Sequence, residues 1–198
     1  TKTGAAVRLS DSQNNGLTTG VVSYYRNAAW ASAVGTTDGP GGTWAILLDG
    51  APGNIVYSVS YEGAGQQLAL QSLVTRSAGY FQTVPATVQL IDSAGNPVSG
   101  GAATFYGTDW RTMGTSGDDG KVVKELLPVK HTFGFSTLGS YEQRTINPVS
   151  AAPVVFQTGR ITSDGGWIDS FYTNAWQTLP ADGVELLPSN VTLQPVAG

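Results

Sequence analysis

Val88-Gln89-Leu90-Ile91-Asp92-Ser93-Ala94-Gly95-Asn96-Pro97 decides the fold. Apolar and polar side chains alternate up to Asp92, the period of a half-buried strand, and Ala94-Gly95-Asn96-Pro97 is turn chemistry. The same phrase occurs earlier as Val7-Arg8-Leu9-Ser10-Asp11-Ser12, followed by a turn around Asn14-Asn15-Gly16. Three more landmarks recur in the same order. An aromatic pair with a Trp appears as Tyr24-Tyr25 with Trp30, Phe105-Tyr106 with Trp110, and Phe171-Tyr172 with Trp176. Leu47-Leu48, Leu126-Leu127-Pro128 and Leu186-Leu187-Pro188 follow, and Tyr80-Phe81-Gln82-Thr83 matches Val155-Phe156-Gln157-Thr158 as a closing strand. Conserved order is the signature of internal repeats. The chain therefore divides into repeat one (1–84), repeat two (85–158) and a shorter, incomplete repeat three (159–198).

Within repeat two, Thr87–Asp92, Ala102–Gly107, Trp110–Thr115, Gly120–Leu126, Val129–Ser136, Ser140–Asn147 and Pro153–Thr158 read as strands. Short strands at this spacing predict an all-β fold of tandem antiparallel Greek-key β-sandwiches, prealbumin- or Ig-like, the last one incomplete. Val88 to Ile146 resembles the prealbumin-like sandwich of carboxypeptidase-regulatory-like and collagen-adhesin B-type repeats. The likeness rests on Asp92-Ser93-Ala94-Gly95-Asn96-Pro97, Gly114-Thr115-Ser116-Gly117-Asp118-Asp119-Gly120-Lys121 and Glu125-Leu126-Leu127-Pro128. The Phe-Tyr, Trp-Arg-Thr and Glu-Leu-Leu-Pro details also resemble tandem-β repeats of bacterial extracellular proteins. Some adhesin repeats of this type carry a Lys–Asn crosslink from the first strand. Thr87–Asp92 has no Lys, and Arg8 stands in repeat one with Lys2 just ahead, so no crosslink is expected.

Composition excludes several function classes. Ten basic and fourteen acidic residues are scattered without a basic stripe, which is the wrong electrostatic footprint for nucleic acid. The longest apolar runs, such as Ile55 to Val59, fall far short of the roughly 20 residues of a membrane span. Cysteine is absent, so disulfides and thiolate metal sites are out. Low Lys, abundant Thr, Ser and Asn, and the sequon Asn190-Val191-Thr192 point to an extracellular or cell-surface location, with Asn190 a candidate glycosylation site.

Catalytic chemistry has little to work with. His131 is the single histidine, and its alternation within Val129-Lys130-His131-Thr132-Phe133 predicts a surface strand residue. Asp118-Asp119, Asp109, Glu125, Glu142, Asp164 and Asp169 could in principle pair for glycoside hydrolysis. Asp118 and Asp119 sit instead in a Gly-flanked turn whose counterparts are Thr37-Asp38-Gly39 and Ala181-Asp182-Gly183, a recurrence that marks turn chemistry. Calcium could bind such a turn, but no EF-hand-like ligand spacing is present. The chain is expected to be no enzyme and to need no cofactor.

One constellation invites contact. Phe105 shares a strand face with Ala103 and belongs to the core, while Tyr106 points outward, where Trp110 reaches it across a tight hairpin. Tyr25 with Trp30 and Tyr172 with Trp176 repeat the pair, giving a candidate aromatic stripe. It fits packing between repeats or subunits, or stacking on a glycan.

The expectation is thus an extracellular structural or adhesive surface protein. It would self-assemble head to tail into a homopolymer by strand complementation, or pack against neighbouring domains of a longer chain. A carbohydrate-binding module or spacer of a secreted polysaccharide-degrading enzyme is the alternative. After its Leu-Leu-Pro, repeat three has one strand where repeat two has three, and Thr1–Ser10 is the expected strand donor.

Overall fold

The computed structural model describes residues 1–137, 140–163, 166–170, 177–179, 184–186 and 194–195, among which there is no helix. The first unit comprises β1 (Lys2–Ser10), β2 (Val21–Arg26), β3 (Ala29–Thr36), β4 (Thr43–Asp49), β5 (Asn54–Tyr61), β6 (Ala64–Gln67), the two-residue β7 (Gln71–Ser72) and β8 (Ala78–Gln82). One sheet has the order β4-β1-β8; the other runs β3-β2-β5-β6, with β7 also on β5. The second unit comprises β9 (Val84–Ile91), β10 (Ala102–Tyr106), β11 (Trp110–Thr115), β12 (Lys121–Leu126), β13 (His131–Thr137), β14 (Ser140–Ile146) and β15 (Val154–Gln157). Its sheets, β12-β9-β15 and β11-β10-β13-β14, repeat the same arrangement. Beyond it, β16 (Gly159–Ser163) pairs with β17 (Gly166–Ser170), and β18 (Gln177–Leu179), β19 (Val184–Leu186) and β20 (Gln194–Pro195) form a small sheet.

The architecture is the expected tandem of β-sandwiches, with one refinement. In each described unit the closing strand lies parallel to the first: β8 beside β1, and β15 beside β9. Among the described residues all other strand pairings are antiparallel.

Alternation sets the cores. In β9, Ala86, Val88 and Leu90 point inward, and with Phe105, Leu126, Phe133, Phe135 and Phe156 they fill the second sandwich without exposure. Val7, Leu9, Val22, Ile55 and Tyr57 do the same in the first, with Phe81 buried beside them. The turn after each first strand is held alike. Asp11 Oδ1 accepts the backbone N–H groups of Gln13 and Asn15, and Asp92 Oδ1 accepts those of Ala94 and Asn96. Asn15 and Asn96 side chains donate to the second oxygen. These bonds, the Asn side chain's first, hold both carboxyls below their ordinary value.

Two expectations need correction. Thr1–Ser10 is no strand donor here, because β1 lies between β4 and β8 with Ala5, Val7 and Leu9 buried. Withdrawing it would open the first core. His131 is not a surface residue either. The strand starts at His131, so the ring shares the inward face with Phe133 and Phe135 and is buried. Its Nε2 bonds the Leu127 carbonyl at 3.1 Å, Phe105 and Phe133 flank it, and burial pushes its pKa down.

Candidate functional site

The aromatic pairs form as the sequence predicts in both described sandwiches. Tyr106 and Trp110 face each other in register across the β10–β11 hairpin, ring centroids 5.5 Å apart, and are 42% and 43% exposed. Tyr25 and Trp30 repeat the arrangement at 5.5 Å across β2 and β3. Tyr172 and Trp176, like Asn190, lie outside the described residues.

The second sandwich adds a third ring that the stripe did not include. Tyr141 on β14 meets Trp110 edge-on at 6.3 Å, although β13 and β10 stand between their strands. Gly134 makes that reach possible, since a Cβ there would run into the Tyr141 hydroxyl and ring and the Thr104 hydroxyl. Glycine inside a strand pattern signals such a close approach. Gln143 Nε2 donates to the Tyr141 hydroxyl at 3.0 Å, and the Thr132 and Thr145 hydroxyls bond each other at 2.8 Å beside it. The result is an exposed cluster of three rings, set at 60° and 75° to one another, with a neutral, hydrogen-bonding rim. In the first sandwich the place of Tyr141 is taken by Gly65, because Ser60 pairs with Gly65 as Ser136 pairs with Tyr141.

A different set of residues fixes one sandwich to the next. Only Thr83 separates β8 from β9, and it is 1% exposed. Glu125, near the end of β12, accepts a bond from the Ser12 N–H at 3.2 Å and from the hydroxyls of Ser12 and Thr83. Glu62, in the β5–β6 turn, pairs with Arg111 at 3.2 Å and Lys124 at 3.1 Å. Backbones touch here too: a Cβ on Gly107 would lie 2.7 Å from the Glu62 carbonyl oxygen. Leu127 of the second unit is fully buried in the core of the first, with Val129 packed beside it. The joint thus combines charge, hydrogen bonds and apolar burial.

Three of the other candidate carboxylates have structural partners. Asp109 holds Arg111 Nε at 2.9 Å, Glu142 holds Arg144 Nε at 2.9 Å, and Asp119 accepts the Lys121 N–H that closes its turn. The guanidinium of Arg111 keeps the Asp109 carboxyl below its ordinary value. Asp164 and the side chain of Asp169 lie outside the described residues. Among the described residues no group of three or more His, Cys, Asp or Glu could hold a metal ion, and no helix is long and apolar enough to cross a membrane.

No protein-family model matches the chain, and no curated protein matches it. Among solved structures it is similar to the Bacillus anthracis TIE protein, with 13% identity, a TM-score of 0.31 and coverage of 79% of this chain and 33% of that one. The Streptococcal ancillary pilin shares 16% identity at a TM-score of 0.32, over 79% of this chain and 61% of that one. The shaft pilin spaA from Lactobacillus rhamnosus GG shares 12% at 0.30, over 78% and 96%. This chain spans about a third of the TIE protein.

Proposed function

We propose that the chain works outside the cell as a non-enzymatic structural array of a cell surface, in which sandwiches are set end to end at fixed joints and copies join head to tail. The observation that carries this reading is the joint. A flexible tether between domains is Gly-, Ser- or Pro-rich and makes few contacts. Here the link is one buried threonine, clamped by Glu125 from the far side and braced by Glu62 with Arg111 and Lys124. A spacer that must hold a distance needs such a joint.

Residual dipolar couplings on the dilute monomer test the reading. A single alignment tensor is expected for both sandwiches, splitting into two when Gly-Gly is inserted after Thr83. Two independent tensors in the unaltered chain would refute it.

A second reading attaches to Tyr106, Trp110 and Tyr141. Three half-exposed rings with a neutral hydroxyl and amide rim suit stacking on a polysaccharide, as does the smaller Tyr25–Trp30 pair. Binding to a glycan array that disappears with Trp110→Ala, at an unchanged melting point, would establish it; an array without a hit would retire it.

A further inference from the structure

Strand phase sorts charge in both ring-bearing sheets. Around the three rings of the second sandwich, the outward positions hold Thr104, Thr112, Thr132, Gln143 and Thr145, and no charged residue stands in that phase. The charged residues of these strands, Arg111, Glu142 and Arg144, pair instead with Phe105, Phe135 and Phe133 in the opposite phase. The first sandwich sorts alike. Arg26 is the one charged residue of β2, β3, β5 and β6, and it stands in phase with Val22 and Tyr24, which pack in the core. A water-facing strand phase is the ordinary place for charge, so two sheets without any share an unusual surface.

Register matches the two faces position by position. Tyr25 and Trp30 answer Tyr106 and Trp110, and Ser23 answers Thr104. Gln67 opposite Ser58 answers Gln143 opposite Gly134. The joint then sets the sheets end to end. The Glu62-Gly63 turn links β5 to β6 in the first sheet and abuts the β10–β11 hairpin of the second, where a Cβ on Gly63 would lie 3.0 Å from the Thr108 backbone nitrogen. Tyr106 adjoins that hairpin. Tyr25 pairs with Val56, six residues before Glu62, so about 20 Å of strand separates the first aromatic pair from the second.

We infer that one uncharged linear polysaccharide lies along both faces and is held by the two sandwiches together. Tyr and Trp offer an apolar ring with a polar tip, which suits the mixed C–H and O–H surface of a sugar. Hydroxyls and amides donate and accept, as sugar hydroxyls do. An acidic glycan needs Arg or Lys to pair its carboxylates or sulfates, and the outward positions supply neither. Two sites on a stiff frame hold a chain that reaches both more tightly than either holds it alone. The inference rests on the glycan reading of the rings and adds the charge class of the ligand and its span across the joint.

Calorimetric titration of the full chain tests it, with mixed-linkage β-glucan, galactomannan and pullulan as uncharged probes and polygalacturonate and alginate as acidic ones. At least one uncharged probe is expected to bind more tightly than either acidic one. Trp30→Ala is expected to weaken that polysaccharide about tenfold while leaving its disaccharide, which is too short to reach both sites, bound as before at Trp110. Acidic probes that bind as tightly as the uncharged ones, or a Trp30→Ala chain that holds the polysaccharide undiminished, overturn the inference and leave the rings a glycan site. Should Trp30→Ala melt low, Tyr25→Ala decides by the same criterion. No binding by any probe overturns the inference and the glycan reading together.

Discussion

Replacing Glu125 by alanine tests whether the joint is a structural element in its own right. The carboxylate accepts three hydrogen bonds from the preceding sandwich. Bonds to a charged group contribute about 1.5–3 kcal/mol each when buried, but Ser12 is only half-buried and water can replace part of its share. Thr83 decides the magnitude. Its hydroxyl is almost fully buried, and its one other acceptor, the Ser10 carbonyl, stands 3.5 Å away at the limit of a bond. Orphaning a buried hydroxyl costs about 1–3 kcal/mol, so Glu125→Ala should destabilise by about 2–3 kcal/mol. For a domain of this size that lowers the melting temperature by about 8–24 °C. Glu125→Gln keeps an acceptor oxygen and loses the charge, so it should cost about half as much. Calorimetry of the intact chain reads both. A shift under about 2 °C for the alanine variant, or equal losses for both variants, would show that the joint does not depend on this carboxylate.

Phe156→Ala should cost about 3–5 kcal/mol in urea unfolding, because the ring is fully buried between Phe135 and Arg144, whereas Trp110→Ala should cost under about 1 kcal/mol. Equal losses would place Trp110 in the load-carrying packing and count against a free platform. His131 should titrate below its ordinary value of 6.5 by NMR, because burial disfavours the imidazolium. Because burial lowers its folded pKa, the unfolded chain binds the proton first, so stability is full above 6.5 and falls with pH from there down to the folded pKa. An ordinary pKa would contradict a buried ring. Asp92 is depressed in the opposite class, an acid whose stabilisation is present above 3.8 and disappears as pH falls through its folded value. Asp92→Asn should therefore flatten the acid limb of the stability curve, and an unchanged limb would refute the role of the Asp92–Asn96 turn.

Local chemistry made most of the second sandwich legible. Its strands alternate, its turns carry Asp, Asn and Gly, and neither property needs a distant partner. His131 and Thr1–Ser10 were misjudged against signals already present. His131 has the phase of Phe133 and Phe135, and Ala5, Val7 and Leu9 alternate as half-buried strand residues do. The third platform ring was marked by Gly134 in mid-strand. The joint was a different matter. Ser12 and Glu125 are separated by 113 positions, and nothing local distinguishes the Glu of Glu-Leu-Leu-Pro from a solvated carboxylate.

The parallel closing strand explains why such units string together. If the last strand of a sandwich ran antiparallel to the first, the chain would leave at the end where it came in, and a following unit would fold back alongside. β8 runs with β1, so the chain leaves the first sandwich at the opposite end and passes into β9 in the same direction. The handover is then made the same way twice. The Thr83 N–H bonds the Ser10 carbonyl at 2.9 Å, and the Thr158 N–H bonds the Ile91 carbonyl at 3.0 Å, each threonine buried and each followed at once by the next strand. Ser10 and Ile91 occupy the same register position beside Gln82 and Gln157. A joint whose backbone bond comes from the sandwich's own first and last strands is renewed by every sandwich added. The direction of the array is therefore fixed by strand pairing inside each unit, and the side chains at the joint decide how stiffly that direction is kept.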